Sequence, residues 1–549
     1  MFFWGDARKV PNSYHTFEEN GAVVSVPYLK PDQMLAYLLS THPWTVLGGL
    51  QPGEHNQLLS SFWRQYRKEH GSHAVFAMAE RKELDLEFTV PLLLHGDGGR
   101  TTKKQPLEVV SLCPVLGLDT EQKELKCTCA NGNVYSGKRK RIPLAQRLNL
   151  KNSSYTTHFL AFALPAKKYK KTPGVLRSLL QAVSDNLGQV CGTGLPCTHR
   201  GRVFRFHFAV LGMKGDQEWH AKSGLLNRSY QNVGYKNCIP CCSLCGAGGD
   251  GLPFEDFSLQ AAWRATICQA PPWTSSPPFE AIPFEDWSSG SASQFFKQDI
   301  FHVFRLGIAR NYIGSALVYL CMEGYFDSSG DGRGLEERLA RAWSHFSLWC
   351  DTEKVSPAGI RSFSKQKLHI PTAGSFPWVG CKGSDTILLL KWLRFYCKIQ
   401  LCSDPSSSSS MLGVIAGGCE NGLAFQGVYR HGIWLKNSCR EKLMRNAQRF
   451  ITAYAKLASE AYQRGSQLYA MVPKIHSLDH IKVSLEPDPN KDFFLNPATF
   501  CCSMSEDFIG RVSRQSRRIS YIKIEENTLL AYKIKARFQL QRLKKNRRL

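Results

Sequence analysis

The sequence contains no apolar segment long enough to cross a membrane. Its longest apolar stretch runs from Asn311 to Met322, between Arg310 and Glu323, which is shorter than the roughly 20 residues that a membrane helix needs. The N-terminus carries Asp6 and lacks the long apolar region of a signal peptide. We therefore expect a soluble protein of the nucleus, or of cytoplasm and nucleus, with no membrane partner.

Acidic residues are few compared with basic ones. The 549 residues include 70 Lys and Arg but only 45 Asp and Glu, which gives a net charge of +25. This excess favours a polyanionic partner, most simply nucleic acid, although a basic protein without such a partner has the same composition. Hydrophobic residues make up 43% of the chain, enough to form a core, which argues against a disordered protein.

The sequence also lacks a spaced cysteine framework. Its 19 cysteines are an odd number and fall in local clusters, which favours thiols that are free or bound to metal over disulfides. The densest cluster, YKNCIPCCSLCGAGG, contains two adjacent C-x2-C pairs with the spacing of zinc ligands. We prefer the pair Cys242 and Cys245, because a glycine-rich turn follows it.

A pair of Cys ligands needs two more to complete a zinc site, and FFKQDIFHVFRLG offers them. Asp299 and His302 are three residues apart, so on a helix they share a face. The alternative is that the cysteines are buried apolar residues, that Asp299 caps a helix and that His302 is an ordinary polar residue.

The pattern of apolar segments predicts an α/β region that begins near residue 85. The order is strand, strand, strand, helix, strand, with segments LEFTVPLLLHGD, LEVVSLCPVLGL, THFLAFALP, PGVLRSLLQAVSDNLGQV and RVFRFHFAVLGMKGD. The sequence predicts helix and loop for residues 1–84. It predicts a Gly-, Pro- and Ser-rich linker for residues 246–292 and mostly helix for residues 295–470.

The first and fourth of these strands each lead into an aspartate beside a glycine, Asp97 and Asp216. Two carboxylates at the tips of neighbouring strands repel each other unless a divalent cation lies between them. Oxygen ligands suit Mg²⁺ or Mn²⁺, and a pair of such ions can promote phosphodiester cleavage. The alternative is a turn, since HGDGG is also a favourable turn sequence.

A third acid of such a site is expected in FCCSMSEDFIGRVSRQSRRIS. Glu506 and Asp507 both fall in the first turn of the predicted helix, and the sequence leaves open which of them is the ligand. An acid at a helix start is also favourable without any metal. Basic residues beside the acids are candidate DNA contacts: Arg100, Lys103, Lys104, Lys214, Arg511, Arg514 and Arg518.

Taken in order, these motifs resemble the ribonuclease H-like core of cut-and-paste DNA transposases. HGDGGR, MKGD and EDFIGR are similar to strings in a large group of unannotated protist proteins, and C-x2-C followed by D-x2-H resembles a signature of the helical insertion in several transposase superfamilies. The resemblance implies a ribonuclease H-like mixed sheet flanked by helices and interrupted by a large α-helical insertion. It also implies a triad of Asp97, Asp216 and Glu506 that holds two Mg²⁺ or Mn²⁺ ions, a nuclease and strand-transfer activity on DNA, and a homo-oligomer.

The boundaries expected from this resemblance divide the chain into five parts. They are an N-terminal helical region (1–84), the first part of the core (85–225), the C-x2-C segment and helical insertion (226–470), the C-terminal part of the core (471–525) and a basic tail (526–549). Two alternatives stay open: a catalytically inactive, host-adopted DNA-binding protein on the same scaffold, and a zinc-stabilised scaffold for protein interaction.

Overall fold

A computed structural model of the chain describes residues 10–102, 105–118, 120, 146–229, 245–246, 252–330, 332–370, 374–403 and 411–547. Its strands are β1 (Ser13–Glu19), β2 (Ala22–Tyr28), β3 (Thr89–Arg100), β4 (Pro106–Pro114), β5 (Phe159–Pro165), β6 (Leu195–His199), β7 (Arg202–Lys214), β8 (Cys245–Gly246), β9 (Leu252–Pro253), β10 (Phe296–Lys297), β11 (Trp434–Lys436) and β12 (Phe493–Leu495). Its helices are α1 (Pro31–Thr41), α2 (Asn56–Glu69), α3 (Ala74–Glu80), α4 (Ala166–Tyr169), α5 (Gly174–Thr193), α6 (Gln217–Gly224), α7 (Ala309–Met322), α8 (Leu335–Thr352), α9 (Gly383–Ser403), α10 (Met411–Phe425), α11 (Asn437–Gln463), α12 (Pro473–Val483), α13 (Ser503–Ser516) and α14 (Ile524–Arg547).

A mixed six-stranded sheet forms the centre of the fold. Its order is β10-β7-β3-β4-β5, with β6 added along β7. The pairs β3–β4, β4–β5 and β6–β7 are antiparallel, whereas β3–β7 and β7–β10 are parallel. Every residue of β5 is buried, as expected for a strand that is covered on both faces.

Helices flank this sheet, which confirms the expected α/β class. Helix α5 packs on β7, α13 on β3 and α14 on β5. Helices α7 to α12 follow β10 in the chain, and within this group α10 packs between α9 and α11. Within the described ranges, every helix is too short or too polar to span a bilayer.

Two regions differ from the sequence expectation. Residues 1–84, expected to be helix and loop, also contain the antiparallel hairpin β1–β2. The expected basic tail, residues 526–549, lies largely within α14, whose residues Leu529, Tyr532, Ala536 and Leu540 are buried. Because these side chains pack against the core, this segment is part of the fold.

Candidate metal centre

Asp97 lies within a strand rather than in a turn after it. Strand β3 is buried from Thr89 to Gly96 and continues to Arg100, so that Asp97 pairs with Val109 of β4. The Gly98 N–H donates a hydrogen bond of 2.6 Å to Asp97 Oδ1. Side chains alternate along a strand, so His95 and Asp97 point to the same face.

The glycines beside Asp97 make room for other side chains. A Cβ on Gly96 would lie 2.1 Å from the indole of Trp219, and a Cβ on Gly99 would lie 2.2 Å from Ser513 Oγ. Trp219 belongs to α6 and Ser513 to α13. Since the other two acids lie at the starts of these helices, the two glycines allow both helices to approach β3.

Asp216 caps the N-terminus of α6, directly after β7. The Trp219 N–H donates a hydrogen bond of 2.7 Å to Asp216 Oδ1, which is a common N-cap arrangement. Strands β3 and β7 are parallel neighbours, with His95 beside Lys214. Their register therefore brings Asp97 and Asp216 to the same edge of the sheet.

Glu506 completes the group from the first turn of α13. Its carboxyl group shares a hydrogen bond with that of Asp97. Asp507 points elsewhere: the Ser154 hydroxyl and the Arg511 guanidinium each donate a hydrogen bond of 2.7 Å to it. Of the two candidates that the sequence left open, Glu506 is the one that the structure brings to Asp97.

The carboxyl groups of Asp97 and Glu506 both have raised pKa values. Burial raises the pKa of Asp97 well above its usual value, and the hydrogen bond to Glu506 and the charges of Glu506 and Asp216 raise it further. Burial also raises the pKa of Glu506, with added effects from Asp299 and Asp216. In the described part of the chain, none of the three acids forms a salt bridge with a lysine or arginine. Carboxylates held close together favour the binding of a cation.

His302 faces this acid group and is held by Asp299. His302 Nδ1 lies 2.6 Å from Asp299 Oδ2, and its Nε2 lies 3.5 Å from Glu506 Oε1. Burial on its own lowers the pKa of His302, but the hydrogen bond to Asp299 and the charges of Asp299, Asp97 and Asp216 outweigh it and raise the pKa. The raised pKa makes His302 a cationic group beside Glu506.

Asp299 is already occupied by protein donors. Its Oδ1 accepts hydrogen bonds from the N–H groups of Phe301 and Cys502 at 2.9 and 3.0 Å, and its Oδ2 accepts one from the His302 N–H at 3.1 Å. This matches the capping role that we weighed against a zinc role. Cys242 lies outside the described residues, and for Cys245 only the backbone is described, in β8.

Two residues that we did not single out in the sequence also lie at the site. One ligand atom of each of His95, Asp97 and Glu506 lies within 4.8 Å of the others, and Cys502 forms a similar group with Asp299 and His302. Neither ring nitrogen of His95, which is 0% exposed, has a hydrogen-bond partner in the described chain. The i, i+2 spacing of His95 and Asp97 was the signal that could have identified it.

The expected DNA contacts fall into three groups. Arg100, Arg514 and Arg518 are exposed, and Arg511 is partly exposed and pairs with Asp507. Lys103 and Lys104 lie outside the described residues. Lys214 corrects our expectation: it is 3% exposed and its ammonium group donates to the Cys501 carbonyl at 3.3 Å, so DNA cannot reach it.

The donor atoms of the site fit a divalent cation. The site offers carboxylate oxygens from Asp97, Asp216 and Glu506, of which Glu506 Oε1 lies 3.5 Å from His302 Nε2, and the nitrogens of His95. Oxygen donors with one imidazole fit Mn²⁺ well and Mg²⁺ through the carboxylates. Comparison with protein-family models found no match, and comparison with curated proteins found none either.

Proposed function

We propose that the protein is a transposase-like DNA nuclease with strand-transfer chemistry, in which Asp97, Asp216 and Glu506 hold two Mg²⁺ or Mn²⁺ ions. One observation carries this proposal: three acids from distant parts of the chain converge, and no lysine or arginine in the described chain pairs with them. Like charges held close together are costly unless they bind a cation. A purely structural role does not explain that cost.

The fold supports a ribonuclease H-like core. Strands β3, β4 and β5, helices α4 and α5, and strands β6 and β7 follow one another in the chain, and β3 and β7 are parallel neighbours at the centre of the sheet. Asp97 lies on β3, Asp216 directly after β7 and Glu506 on α13, in the order that the sequence resemblance implies. Helices α7 to α12 occupy the chain between the second and third acids, where the resemblance implies a helical insertion.

The residues of the site would have separate roles in such a reaction. When bound, the ions would activate the attacking oxygen and stabilise the leaving oxygen of a phosphodiester. The Gly98 and Trp219 N–H groups orient Asp97 and Asp216, while Asp299 orients His302 toward Glu506. Arg100, Arg514 and Arg518, which are exposed, would hold the phosphate backbone.

The proposal is tested by DNA nicking with the full-length protein. We expect cleavage of a DNA substrate in Mg²⁺ or Mn²⁺, at least about a hundredfold loss in Asp97→Asn, Asp216→Asn and Glu506→Gln, and near-normal activity in the matched control Asp507→Asn. The control is well matched because Asp507 neighbours Glu506 but pairs with Arg511.

Other outcomes identify the alternatives. DNA binding without cleavage under any metal would replace the proposal with an inactive, host-adopted DNA-binding protein. If the protein neither binds nor cleaves DNA, the remaining alternative is the zinc-stabilised scaffold for protein interaction. Cleavage that persists unchanged in Asp97→Asn and Asp216→Asn would remove the catalytic assignment.

A further inference from the structure

His95 is a fully buried histidine on β3, two residues before Asp97. Among the described residues, it is the only histidine for which both ring nitrogens are buried without a hydrogen-bond partner. Buried polar groups are normally paired, and each one that is not calls for an explanation. A ligand that binds at this position would provide one.

A neighbouring histidine shows that the surrounding interior can pair an imidazole. The ring of His158 lies 6.4 Å from that of His95 and is also 0% exposed. Its Nδ1 lies 3.0 Å from the Thr157 hydroxyl, and its Nε2 lies 2.9 Å from the hydroxyl of Ser505 on α13. Burial at this place in the fold therefore does not by itself explain the unpaired nitrogens of His95.

The distances at the acid centre fit a shared ion. One ligand atom of each of His95, Asp97 and Glu506 lies within 4.8 Å of the others. Two ligand atoms at about 2.0–2.1 Å from an octahedral ion are about 3 Å apart when adjacent and about 4.2 Å apart when opposite. Small rotations of the side chains would therefore bring all three onto one ion.

From this arrangement we infer that His95 is a direct ligand of one of the two ions, together with Asp97 and Glu506, and that it favours Mn²⁺ over Mg²⁺. The inference rests on the metal centre of the proposed function and assigns it a nitrogen ligand. Transition-metal ions accept imidazole nitrogen, whereas Mg²⁺ prefers oxygen donors and water.

The alternative is that His95 is a protonated counter-charge for the acids. Burial lowers the pKa of His95 well below its usual value, and the charge of Lys214 lowers it further. The ring is therefore neutral, which is the form that binds metal. The cationic group beside Glu506 is instead His302, whose Nε2 lies 3.5 Å from Glu506 Oε1.

The test is pulsed EPR of Mn²⁺ bound to the purified full-length protein, without DNA. We expect the bound ion to be coupled to a directly bound imidazole nitrogen in the wild type. The coupling should disappear in His95→Phe, which keeps a ring but has no nitrogen. It should persist in the matched control His158→Phe, which removes the neighbouring buried imidazole. Labelling the histidines of the wild type with the heavier nitrogen isotope should change the coupling without any substitution.

Affinities test the preference for Mn²⁺. His95→Phe should weaken Mn²⁺ binding by at least about tenfold and change Mg²⁺ binding, measured by competition, by less than about threefold. His95→Gln guards against misfolding of the Phe variant. Because its amide offers an oxygen donor, it should bind both ions but lack the nitrogen coupling.

The outcomes separate this inference from the proposed nuclease activity. It is overturned if the wild type binds no Mn²⁺, if the bound ion shows no histidine coupling, or if the coupling survives in His95→Phe and therefore belongs to another histidine such as His302. Coupling that depends on His95 in a protein that cleaves no DNA would support the ligand and remove the nuclease. Cleavage that requires the three acids without such coupling would do the reverse.

Discussion

Asp97 is flanked by three glycines whose surroundings differ. Gly96 and Gly99 lie against side chains of α6 and α13, whereas a Cβ on Gly98 would meet nothing nearer than Glu108 Oε2 at 3.9 Å. The same stretch of β3 therefore carries one acid and leaves space for the helices that carry the other two. The geometry of the site therefore depends on the missing side chains of Gly96 and Gly99 as much as on the acids.

We predict that Gly96→Ala destabilises the protein and that Gly98→Ala does not. The added methyl group at position 96 would overlap the buried Trp219 ring, which should cost about 1–3 kcal/mol of unfolding free energy. Gly98→Ala, on the same strand, should stay within about 0.5 kcal/mol of the wild type. Denaturant unfolding of both variants measures the difference, and an equal loss in both would contradict the packing role of Gly96.

Much of this site could be predicted from the sequence, and the remainder could not for physical reasons. Asp97, Asp216 and the Glu506–Asp507 pair stand out because each is an acid where the sequence predicts the end of a strand or the start of a helix. The choice of Glu506 depends on which face of α13 turns towards β3, and this tertiary arrangement places Asp507 beside Ser154 instead. The burial of Lys214 depends on the distant Cys501 carbonyl, and no local pattern encodes such a contact.

At the scale of elements, local patterns explain both the agreement and the errors. The predicted strands and helix between residues 85 and 225 correspond to β3, β4, β5, α5 and β7, since each is a strongly apolar segment. The missed hairpin β1–β2 has its own signal, Asn20-Gly21, whose φ values of 51° and 74° suit a tight hairpin turn. The high charge of α14 hid the helical spacing of its buried residues.

We predict that α14 contributes substantially to stability. Tyr532 is buried, and its ring lies 6.0 Å from Tyr155 and 5.8 Å from Phe508 of α13. Tyr532→Ala should therefore cost about 3–5 kcal/mol. Phe538, on the same helix, is 51% exposed, so Phe538→Ala should change stability by less than about 1 kcal/mol. A thermal melt of each variant is the measurement; a dispensable tail would give two unchanged melting curves.

Across the whole molecule, buried histidines should make stability depend on pH. Burial lowers the pKa of His42, His55 and His73 to about 4, whereas in the unfolded chain a histidine titrates near about 6.5. As the pH falls from about 7 towards 4, the unfolded state binds protons that the folded state does not, so stability is lost in this window.

The expected loss is about 2 kcal/mol per histidine between pH 7 and pH 5. His55 packs among Phe88, Phe204 and Phe206, so His55→Phe should keep the packing and remove one titration. Denaturant unfolding at the two pH values should then show a smaller difference for His55→Phe than for the wild type. Identical pH dependence would mean that His55 is already protonated in the fold, or that it does not titrate in the unfolded chain.

The net charge of +25 leads to the last prediction, which concerns DNA binding. Each phosphate contact made by a lysine or arginine releases counterions, so the affinity should fall steeply with salt. Arg514 lies on α13, the helix that carries Glu506, and Arg518 follows two residues after the helix; both are exposed. If they hold the DNA backbone at the acid centre, Arg514→Ala with Arg518→Ala should reduce the slope of log K against log salt by about 2.

The matched control removes the same charge elsewhere. Lys442 and Arg445 are exposed on α11, and replacing both with alanine lowers the net charge equally without touching α13. Fluorescence anisotropy with a labelled duplex at several salt concentrations measures both slopes. A reduced slope only in the α13 variant locates the DNA beside Asp97, Asp216 and Glu506, because a general effect of charge would act in both variants. Equal slopes in both variants would separate the DNA-binding surface from the acid centre and argue against cleavage there.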